Sequence, residues 1–144
     1  MVELAPAALE HQASVLALLT ETGLPLDGLE EQFPSAYVIA RQGGVVGVAG
    51  LERHGDFGLL RSVAVAERFR NTGVGRLLIN DRLNAARALG IQQIFLLTTT
   101  AAGYFEKLGF VPTPRAEVPS AIAASIEFAR ACPASATCWG RSSV

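Results

Sequence analysis

Residues 59–78 read LLRSVAVAERFRNTGVGRLL, and this stretch decides the fold. Its first seven residues are β-branched and apolar at alternate positions and contain no glycine or proline, which predicts a strand. After a turn, apolar residues recur at helical spacing, and Gly90 marks the expected end of the helix. The expected buried face of that helix comprises Val74, Leu77, Leu78, Ala85, Ala88 and Leu89. The stretch therefore predicts a strand, a turn and a helix in direct succession.

The turn and the start of the helix have the composition of an anion site. The first turn of a helix leaves four backbone N–H groups without internal partners, and the helix dipole makes this end positive. Gly73 and Gly75 place no side chain in front of those groups, and Arg70 and Arg76 add positive charge. Between positions 61 and 87 there are six arginines and two acidic residues, although the whole chain has a formal net charge of −1. We therefore expect a small polyanionic ligand here rather than nucleic acid.

Two motifs in the sequence resemble those of a known family. The run Arg70-Asn71-Thr72-Gly73-Val74-Gly75 is similar to the (Arg/Gln)-x-x-Gly-x-(Gly/Ala) signature of the GNAT superfamily of acetyl-CoA-dependent N-acetyltransferases. Residues 104–110, YFEKLGF, resemble the second signature of that family. The resemblance covers essentially the whole chain. It implies an α/β fold whose mixed, mostly antiparallel central sheet is splayed at the cofactor site and flanked by helices.

The same resemblance implies acetyl-CoA as the co-substrate. Backbone groups of the central strand would bond the pantetheine arm, and N–H groups of the loop would hold the diphosphate. Hydroxyl groups at the end of the following strand would bond the pantetheine amides. The implied cofactor residues are Val63, Ala64, Val65, Arg70, Asn71, Thr72, Gly73, Val74, Gly75, Arg76 and Thr99.

Length and composition limit the kind of protein. A chain of 144 residues, half of them apolar and 17% charged, fits one globular domain over residues 1–144. No apolar run approaches the ~18 residues of a membrane span, and the chain does not begin with a signal pattern. We therefore expect a cytoplasmic protein without a membrane partner. Cys132 and Cys138 would lie ~20 Å apart in an extended segment, too far for a disulfide, and they have no neighbouring histidines for zinc. Buried thiols and no metal site are expected.

The remaining patterns predict elements in the order β-α-α-β-β-β-α-β-α-β-α-β. Besides residues 59–65, strands are expected at residues 2–5, 36–41, 45–53, 91–98, 110–111 and 135–139. Helices are expected between Pro6 and Gly23, at residues 27–33 with an acidic cap, at 101–108 and at 120–131. In the first, Leu9, Ala13, Leu16 and Leu19 should face inward. In the last, Ile122, Ile126 and Ala129 lie along one side. Residues 24–33 are either a lid over the acceptor site or a plain connector.

The resemblance also implies a catalytic base and a catalytic acid, and the sequence departs from the family at both. Leu59 stands where many members have a glutamate base. Phe105 stands where many have a tyrosine acid, although Tyr104 directly precedes it. Because one helical step turns a side chain by ~100°, Tyr104 is either the acid or a half-exposed packing residue.

A glutamate on the neighbouring strand is the predicted replacement for the base. If the hairpin pairs Arg53 with Gly58, Glu52 lies opposite Leu59 with Cβ atoms ~4.5–5.5 Å apart. Arg61 lies on the same face, on the diagonal. Glu52 would take a proton from the ammonium group of a free amino acid, and Arg61 would bind its carboxylate. A plain cross-strand ion pair is the alternative.

Residues 115–136 carry a second resemblance. They are similar to small amino-acid N-acetyltransferases of the arsenic-resistance type, which are thought to acetylate glutamate-like compounds such as arsinothricin, and to the catalytic domain of N-acetylglutamate synthases. This resemblance implies Ser135 as a catalytic acid, beside Tyr104. Arg115 would bind a second acidic group of the substrate or be a solvated arginine. Cys132 as an acyl carrier is a minor alternative.

Together these features predict an N-acetyltransferase that acts on the α-amine of a small acidic amino acid or amino-acid toxin by direct attack in a ternary complex. Its partner is a small molecule, and a homodimer is the assembly that family members often form. Acetylation of protein N-termini or lysines and a non-catalytic acyl-CoA sensor are the alternatives, because a fold alone does not choose among them.

Overall fold

The computed structural model describes residues 2–131 and 135–143. Its seven strands are β1 (Glu3–Pro6), β2 (Tyr37–Arg41), β3 (Val45–His54), β4 (Phe57–Val65), β5 (Gln93–Thr98), β6 (Val111–Pro112) and β7 (Thr137–Ser142). They form one sheet in the order β1-β2-β3-β4-β5-β7-β6. The pair β4–β5 is parallel, and the other five pairs are antiparallel. The predicted mixed, mostly antiparallel α/β sheet is confirmed.

Helices cover both faces of the sheet. They are α1 (Gln12–Glu21), α2 (Leu29–Gln32), α3 (Val74–Ala88), α4 (Ala102–Lys107) and α5 (Ser120–Ala123), and a π-helical turn follows at Glu127–Ala131. Apolar residues of α1 and α2 pack on one face, together with Ile122 and Phe128 from the α5 region, and those of α3 and α4 pack on the other. No helix within the described residues is long and apolar enough to cross a bilayer.

The expected inward faces of α1 and α3 were wrong in part. Leu9 is 69% exposed and lies in a 3-10 turn before α1, and Pro6 ends the edge strand β1, where its missing N–H costs no ladder bond. In α3, Leu77 and Leu89 are about half exposed. The residues that α3 buries are Val74, Leu78, Ile79, Leu83 and Ala86. Apolar residues also occur on exposed helix surfaces, so periodicity alone placed the buried face imprecisely.

Two other helices differ from the prediction. The short helix α2 begins after Gly28, which has φ +77°, so the expected acidic cap is wrong. The helix expected over residues 120–131 ends at Ala123. The Ser125 hydroxyl donates to the carbonyl of Ile122 at 2.6 Å and accepts from the N–H of Phe128, and such side-chain bonds compete with the helical pattern. As a result Ala129 is exposed, and Glu127 is buried.

The hairpin between β3 and β4 has the register expected from its turn. Arg53 pairs with Gly58, and Glu52 pairs with Leu59. Farther along, the ladder passes from Gly50–Arg61 to Val48–Ala64, so β4 has one more residue than β3 over this interval. The residue after Arg61, Ser62, has φ +57°. This β-bulge bends the central strand where the catalytic chemistry is expected.

We expect Gly50→Ala to lower the free energy of unfolding by about 1–3 kcal/mol, the usual cost of overpacking. A Cβ atom at position 50 would lie 2.5 Å from Cε2 of the buried Tyr37 ring, which cannot withdraw easily. Gly103→Ala is the matched control, because no described atom lies within 4 Å of its Cβ position and α4 favours alanine. Urea unfolding compares the two variants. Equal midpoints would contradict the close packing of Tyr37 on β3.

Candidate active site

The sheet parts at its centre. The parallel pairing of β4 with β5 joins Phe57 to Gln93, Gly58 to Ile94 and Leu59 to Phe95, and in the described part of the chain it extends no farther. Beyond these pairs the strands diverge, and a cavity of about 530 Å³ lies between them. It is lined by residues 22–25, 60–65 and 96–101 and by Arg70, Phe105, Glu127 and Ala136. The predicted splay is therefore present and open.

The start of α3 lies beside this cavity. Gly73 precedes the helix with φ +92°, and Asn71 has φ +63°. Leu77 donates the first helical hydrogen bond, to the carbonyl of Gly73 at 3.1 Å, and the N–H groups of the preceding residues point out of the helix end. The loop is solvent-exposed from residue 70 to residue 73. The geometry suits an anionic ligand.

The predicted cofactor residues fall into two groups. Val63, Ala64, Val65, Arg70 and Thr99 line the cavity. Asn71, Thr72, Gly73, Val74, Gly75 and Arg76 form the loop and the first turn of α3 beside it. The structure thus brings all of these residues together around one opening. Their contacts with a cofactor stay predictions.

Fewer arginines contribute positive charge to the loop at residues 70–76 than the count of six in the sequence suggests. Arg82 pairs with Asp81 and donates to the carbonyl of Ala36. Arg87 donates to the carbonyl of Ser143. Arg68 stacks on Phe69 at 5.0 Å. The positive charge at the entrance to the cavity therefore comes mainly from Arg70 and Arg76. Nε of Arg70 donates to the carbonyl of Val65 at 3.2 Å.

Glu52 and Arg61 meet, as the predicted register requires. Nη1 of Arg61 donates to Oε2 of Glu52 at 3.1 Å, and both side chains are almost fully buried. His54 Nε2 lies 2.9 Å from the other oxygen of Glu52. Arg61 also bonds to the Ser62 hydroxyl and, through Nη2, to the carbonyl of Pro25 at 3.3 Å. The Ser62 hydroxyl in turn lies 3.3 Å from that of Tyr37.

Glu127 completes this network and was missed in the sequence. Its Oε2 lies 3.4 Å from Nε of Arg61, and the residue is 4% exposed. Glu127 lines the cavity, whereas Glu52 is not among its described lining residues. The overlooked signal is that Glu127 is the single charged residue between Glu117 and Arg130. A regular helix would have turned it away from Ile122 and Ile126, and the break after α5 brings it inward.

The pKa values of the two carboxylates, Glu127 and Glu52, are shifted in opposite directions. Burial raises the pKa of Glu127 to about 7, the charge of Arg61 lowers it only in part, and the nearby charge of Glu52 adds to the rise. Burial would also raise the pKa of Glu52, but the hydrogen bond from His54 and the charge of Arg61 outweigh it, so that pKa is lowered overall. At neutral pH Glu52 is charged, and Glu127 is near its titration midpoint.

The remaining predicted residues lie at the edge of the cavity. The hydroxyl of Tyr104 lies 2.9 Å from where a Cβ atom on Gly75 would be, against the first turn of α3, and Phe105 lines the cavity instead. Burial raises the pKa of Tyr104 against the charge of Arg76. Ser135 lies in an exposed turn beside the cavity residue Ala136. The catalytic roles of Tyr104 and Ser135 stay predictions.

Arg115 and the cysteines complete the comparison with the sequence. Nη2 of Arg115 donates to the carbonyl of Ala136, a residue of the cavity wall, at 2.8 Å. Cys138 is a free, buried thiol whose pKa burial raises to about 11. Cys132 lies outside the described residues. Substrate binding by Arg115 stays a prediction.

The parted sheet and the glycine-bearing helix start belong to an α/β domain whose family is shown by comparison with known proteins. The family model described as an acetyltransferase (GNAT) domain matches residues 33–112. An amino-acid acetyltransferase of Pseudomonas syringae pv. tomato is 34% identical over an alignment of 133 positions, which covers 86% of this chain and 31% of that protein. The chain thus spans about a third of the length of the curated relatives it matches.

Solved structures show the same fold. N-acetylglutamate synthase from Neisseria gonorrhoeae, complexed with coenzyme A and N-acetyl-glutamate, gives a TM-score of 0.85 at 23% identity and covers 100% of this chain and 35% of that one. A Mycobacterium tuberculosis protein in complex with CoA gives 0.83 at 20% identity, covering 97% of this chain and 98% of that one. Because the family model spans more than half of the sequence, the chain belongs to the GNAT acetyltransferase domain family.

We expect Glu127→Gln to stabilise the protein at pH 8 and to leave its stability nearly unchanged at pH 5. The folded-state pKa of Glu127 is about 7, above the ordinary value of 4.5. Proton binding therefore contributes stability that is fully present below the unfolded pKa and is lost as the pH rises through about 7. Glutamine cannot ionise, so the variant avoids this loss, which is about 3 kcal/mol at most.

Urea unfolding at both pH values measures the difference between wild type and Glu127→Gln. Glu117→Gln, which alters an exposed carboxylate, serves as the control and should behave like the wild type at both. A Glu127→Gln effect of equal size at pH 5 and pH 8 would contradict the raised pKa.

Proposed function

We propose that this protein transfers the acetyl group of acetyl-CoA to the α-amine of a small acidic amino acid or amino-acid toxin. The observation that carries this proposal is the opening between β4 and β5, which lies directly beside the exposed start of α3. An extended arm fits between the diverging strands, while a diphosphate reaches the free N–H groups of the helix end. Coenzyme A has both of these parts in one molecule.

The edge of β4 provides the contacts for the acyl group. Past Leu59, β4 has no ladder with β5, so its backbone groups on that side can bond a ligand, apart from the Val65 carbonyl, which accepts from Arg70. We place the pantetheine arm against Val63 and Val65, with the loop at residues 71–76 around the diphosphate. A backbone N–H at the bulge would then polarise the thioester carbonyl as the tetrahedral intermediate forms.

The acceptor amine attacks the thioester directly. The described cysteine, Cys138, is buried with a raised pKa and so is not a ready acyl carrier. Ser135 and Tyr104 are both proposed donors of a proton to the departing thiolate. Tyr104 lies against Gly75 at the cofactor loop, and Ser135 lies next to Ala136 at the cavity wall.

The acceptor enters from the side opposite the loop. Residues 22–25 cover that side, and the Pro25 carbonyl is bonded to Arg61 at 3.3 Å, so the proposed lid is linked to the buried charge network. We propose that Nη2 of Arg61 exchanges this carbonyl for the carboxylate of the substrate. Arg115, held by the Ala136 carbonyl, would favour a second acidic group.

The class of acceptor is supported by the relatives. The curated proteins that this chain resembles are amino-acid acetyltransferases, and the neighbour with a TM-score of 0.85 was crystallised with N-acetyl-glutamate. Glutamate and its analogues phosphinothricin and arsinothricin share an α-ammonium group and an acidic side chain. They are therefore the acceptors that we propose.

We expect Arg70→Ala to weaken the binding of coenzyme A by roughly 10- to 100-fold, the range for losing one charge-assisted hydrogen bond. Arg70 lines the cavity, whereas Arg68, two positions earlier, stacks on Phe69 and lies at a different surface depression. Arg68→Ala is therefore the matched control, and we expect it to bind the coenzyme like the wild type. Isothermal calorimetry measures both, and equal losses in the two variants would contradict the placement of the diphosphate.

We expect release of free thiol from acetyl-CoA when the wild type is given glutamate, phosphinothricin or arsinothricin. Arg115→Ala should raise KM for these acceptors more than for neutral amino acids, because it removes a charge near the cavity wall. Thiol release with peptides alone would favour acetylation of proteins. Tight binding of coenzyme A without turnover of any amine would favour a sensor.

A further inference from the structure

We propose that Glu127 is the catalytic base that takes the proton from the acceptor ammonium, and that Glu52 acts through Arg61 as a positioning residue. This inference rests on the proposed transferase function and names a base that the two family signatures do not contain. Glu127 lies more than sixty positions after the central strand. The fold brings its carboxylate next to Arg61 of that strand.

Access to the cavity separates the two glutamates. Glu127 belongs to the cavity wall, together with Arg61 and with residues 22–25, which include the start of the proposed lid at residues 24–33. Glu52 is held behind Arg61, with one carboxylate oxygen on Nη1 of Arg61 and the other on Nε2 of His54. Both oxygens of Glu52 are therefore engaged within the protein. A base must come within hydrogen-bond reach of the proton it removes, and Glu127 meets this requirement better.

The charges around Arg61 explain why Glu127 can exchange a proton. One guanidinium serves two buried carboxylates, through Nη1 for Glu52 and through Nε for Glu127 at the longer distance of 3.4 Å. The nearest further ionisable groups are His54, which bonds to Glu52, and Tyr37, which faces the network from β2. Arg61 can fully balance only one negative charge, and Glu52 has the shorter bond. The second carboxylate holds its proton near neutral pH, where a base is most effective.

The break after α5 fixes the position of Glu127. Ser125 accepts from Phe128 and donates to Ile122, so the chain widens into the π-helical turn that begins at Glu127. Cδ1 of the adjacent Ile126 lies 3.2 Å from where a Cβ atom on Gly28 would be. The turn is thereby packed against Gly28, within the proposed lid at residues 24–33. π-Helical turns are frequent at functional sites.

The proposed step balances in protons and electrons. The carboxylate of Glu127 removes one proton from the substrate ammonium, and the neutral amine attacks the carbonyl carbon of acetyl-CoA. The new C–N bond forms and the C–S bond breaks; Ser135 or Tyr104 gives a proton to the departing thiolate, and the second amine proton replaces the one that this donor has lost. Glu127 then releases its proton to solvent, so that the products are the N-acetyl amino acid, the free thiol of coenzyme A and one proton.

The pH dependence of kcat/KM, measured with glutamate or whichever acceptor the wild type turns over, tests the assignment. We expect the wild type to show an acidic limb near pH 7. Glu127→Gln should lose roughly 10²- to 10⁴-fold in kcat/KM and should also lose that limb. Glu127→Asp should keep the limb at a reduced rate. Glu117→Gln, at an exposed site, should match the wild type.

Glu52→Gln gives the decisive contrast. If Glu127 is the base, this variant still turns over, and its acidic limb moves to lower pH, because the negative charge of Glu52 is one cause of the raised pKa of Glu127. Loss of turnover in Glu52→Gln, with full activity and an unchanged limb in Glu127→Gln, would overturn the proposal and assign the base to Glu52. If circular dichroism shows that Glu127→Gln does not fold, the pH profile of Glu52→Gln decides alone. An acidic limb moved to lower pH supports Glu127 as the base, and loss of turnover assigns the base to Glu52.

The two proposals can fail separately. A wild-type protein that binds coenzyme A but acetylates no amine would refute the transferase function. An active wild type whose kcat/KM has no acidic limb between pH 5 and about 8 would refute only the role of Glu127, because a titrating base must produce one.

Discussion

The divergence of β4 from β5 is the constraint on which the rest of the structure depends. In this seven-stranded sheet β4 pairs with β5 at only three positions, so beyond Leu59 the backbone groups on the β5 side of β4 have no ladder partner, whereas the other side stays paired with β3. Such groups need partners, and in the middle of a sheet a neighbouring strand normally provides them. Here the β-bulge at Ser62 bends β4, and a cavity lies where β4 and β5 would otherwise continue to pair. The fold itself therefore creates an opening at the centre of the sheet, and this opening is where we propose that the coenzyme binds.

A buried arginine, Arg61, joins the charged groups on one side of this gap. Moving charges out of water is costly unless they are paired and hydrogen-bonded, and Arg61 meets this condition with two carboxylates, a hydroxyl and a main-chain carbonyl. The pairing is unequal, because two carboxylates share one guanidinium. That inequality leaves one acidic group with a proton affinity suited to neutral pH. The same network connects the central strand to Pro25, in the segment that we propose as a lid.

The sequence could predict what local patterns determine. The two-residue turn at Gly55 fixes the register of β3 and β4, so the pairing of Glu52 with Leu59 followed from it and is confirmed. The signature around Gly73 and Gly75 likewise predicted the start of α3. The helical periodicity of α3 was less informative, because Leu77 is apolar and yet half exposed.

Contacts between distant parts of the chain could not be predicted in this way. The arginine count near the loop was too high because Arg82 and Arg87 bond to carbonyls 46 and 56 positions away. The role of Glu127 was hidden because a helix pattern was assumed to continue through Ser125, whose hydroxyl bonds break it. Tyr104 was a candidate acid because it directly precedes Phe105, the position of the family tyrosine. Only the fold shows that its hydroxyl lies against Gly75.

The most direct test of the central claim is an NMR titration of the isotope-labelled wild-type protein with coenzyme A. If the coenzyme occupies the opening between β4 and β5, amide signals of Val63, Val65 and the loop at residues 71–76 will shift and saturate together. The amide signals of Ser14, Ala17 and Glu21, which line a separate surface depression, will not shift. Shifts confined to that depression, or no shifts at saturating coenzyme, would contradict the account.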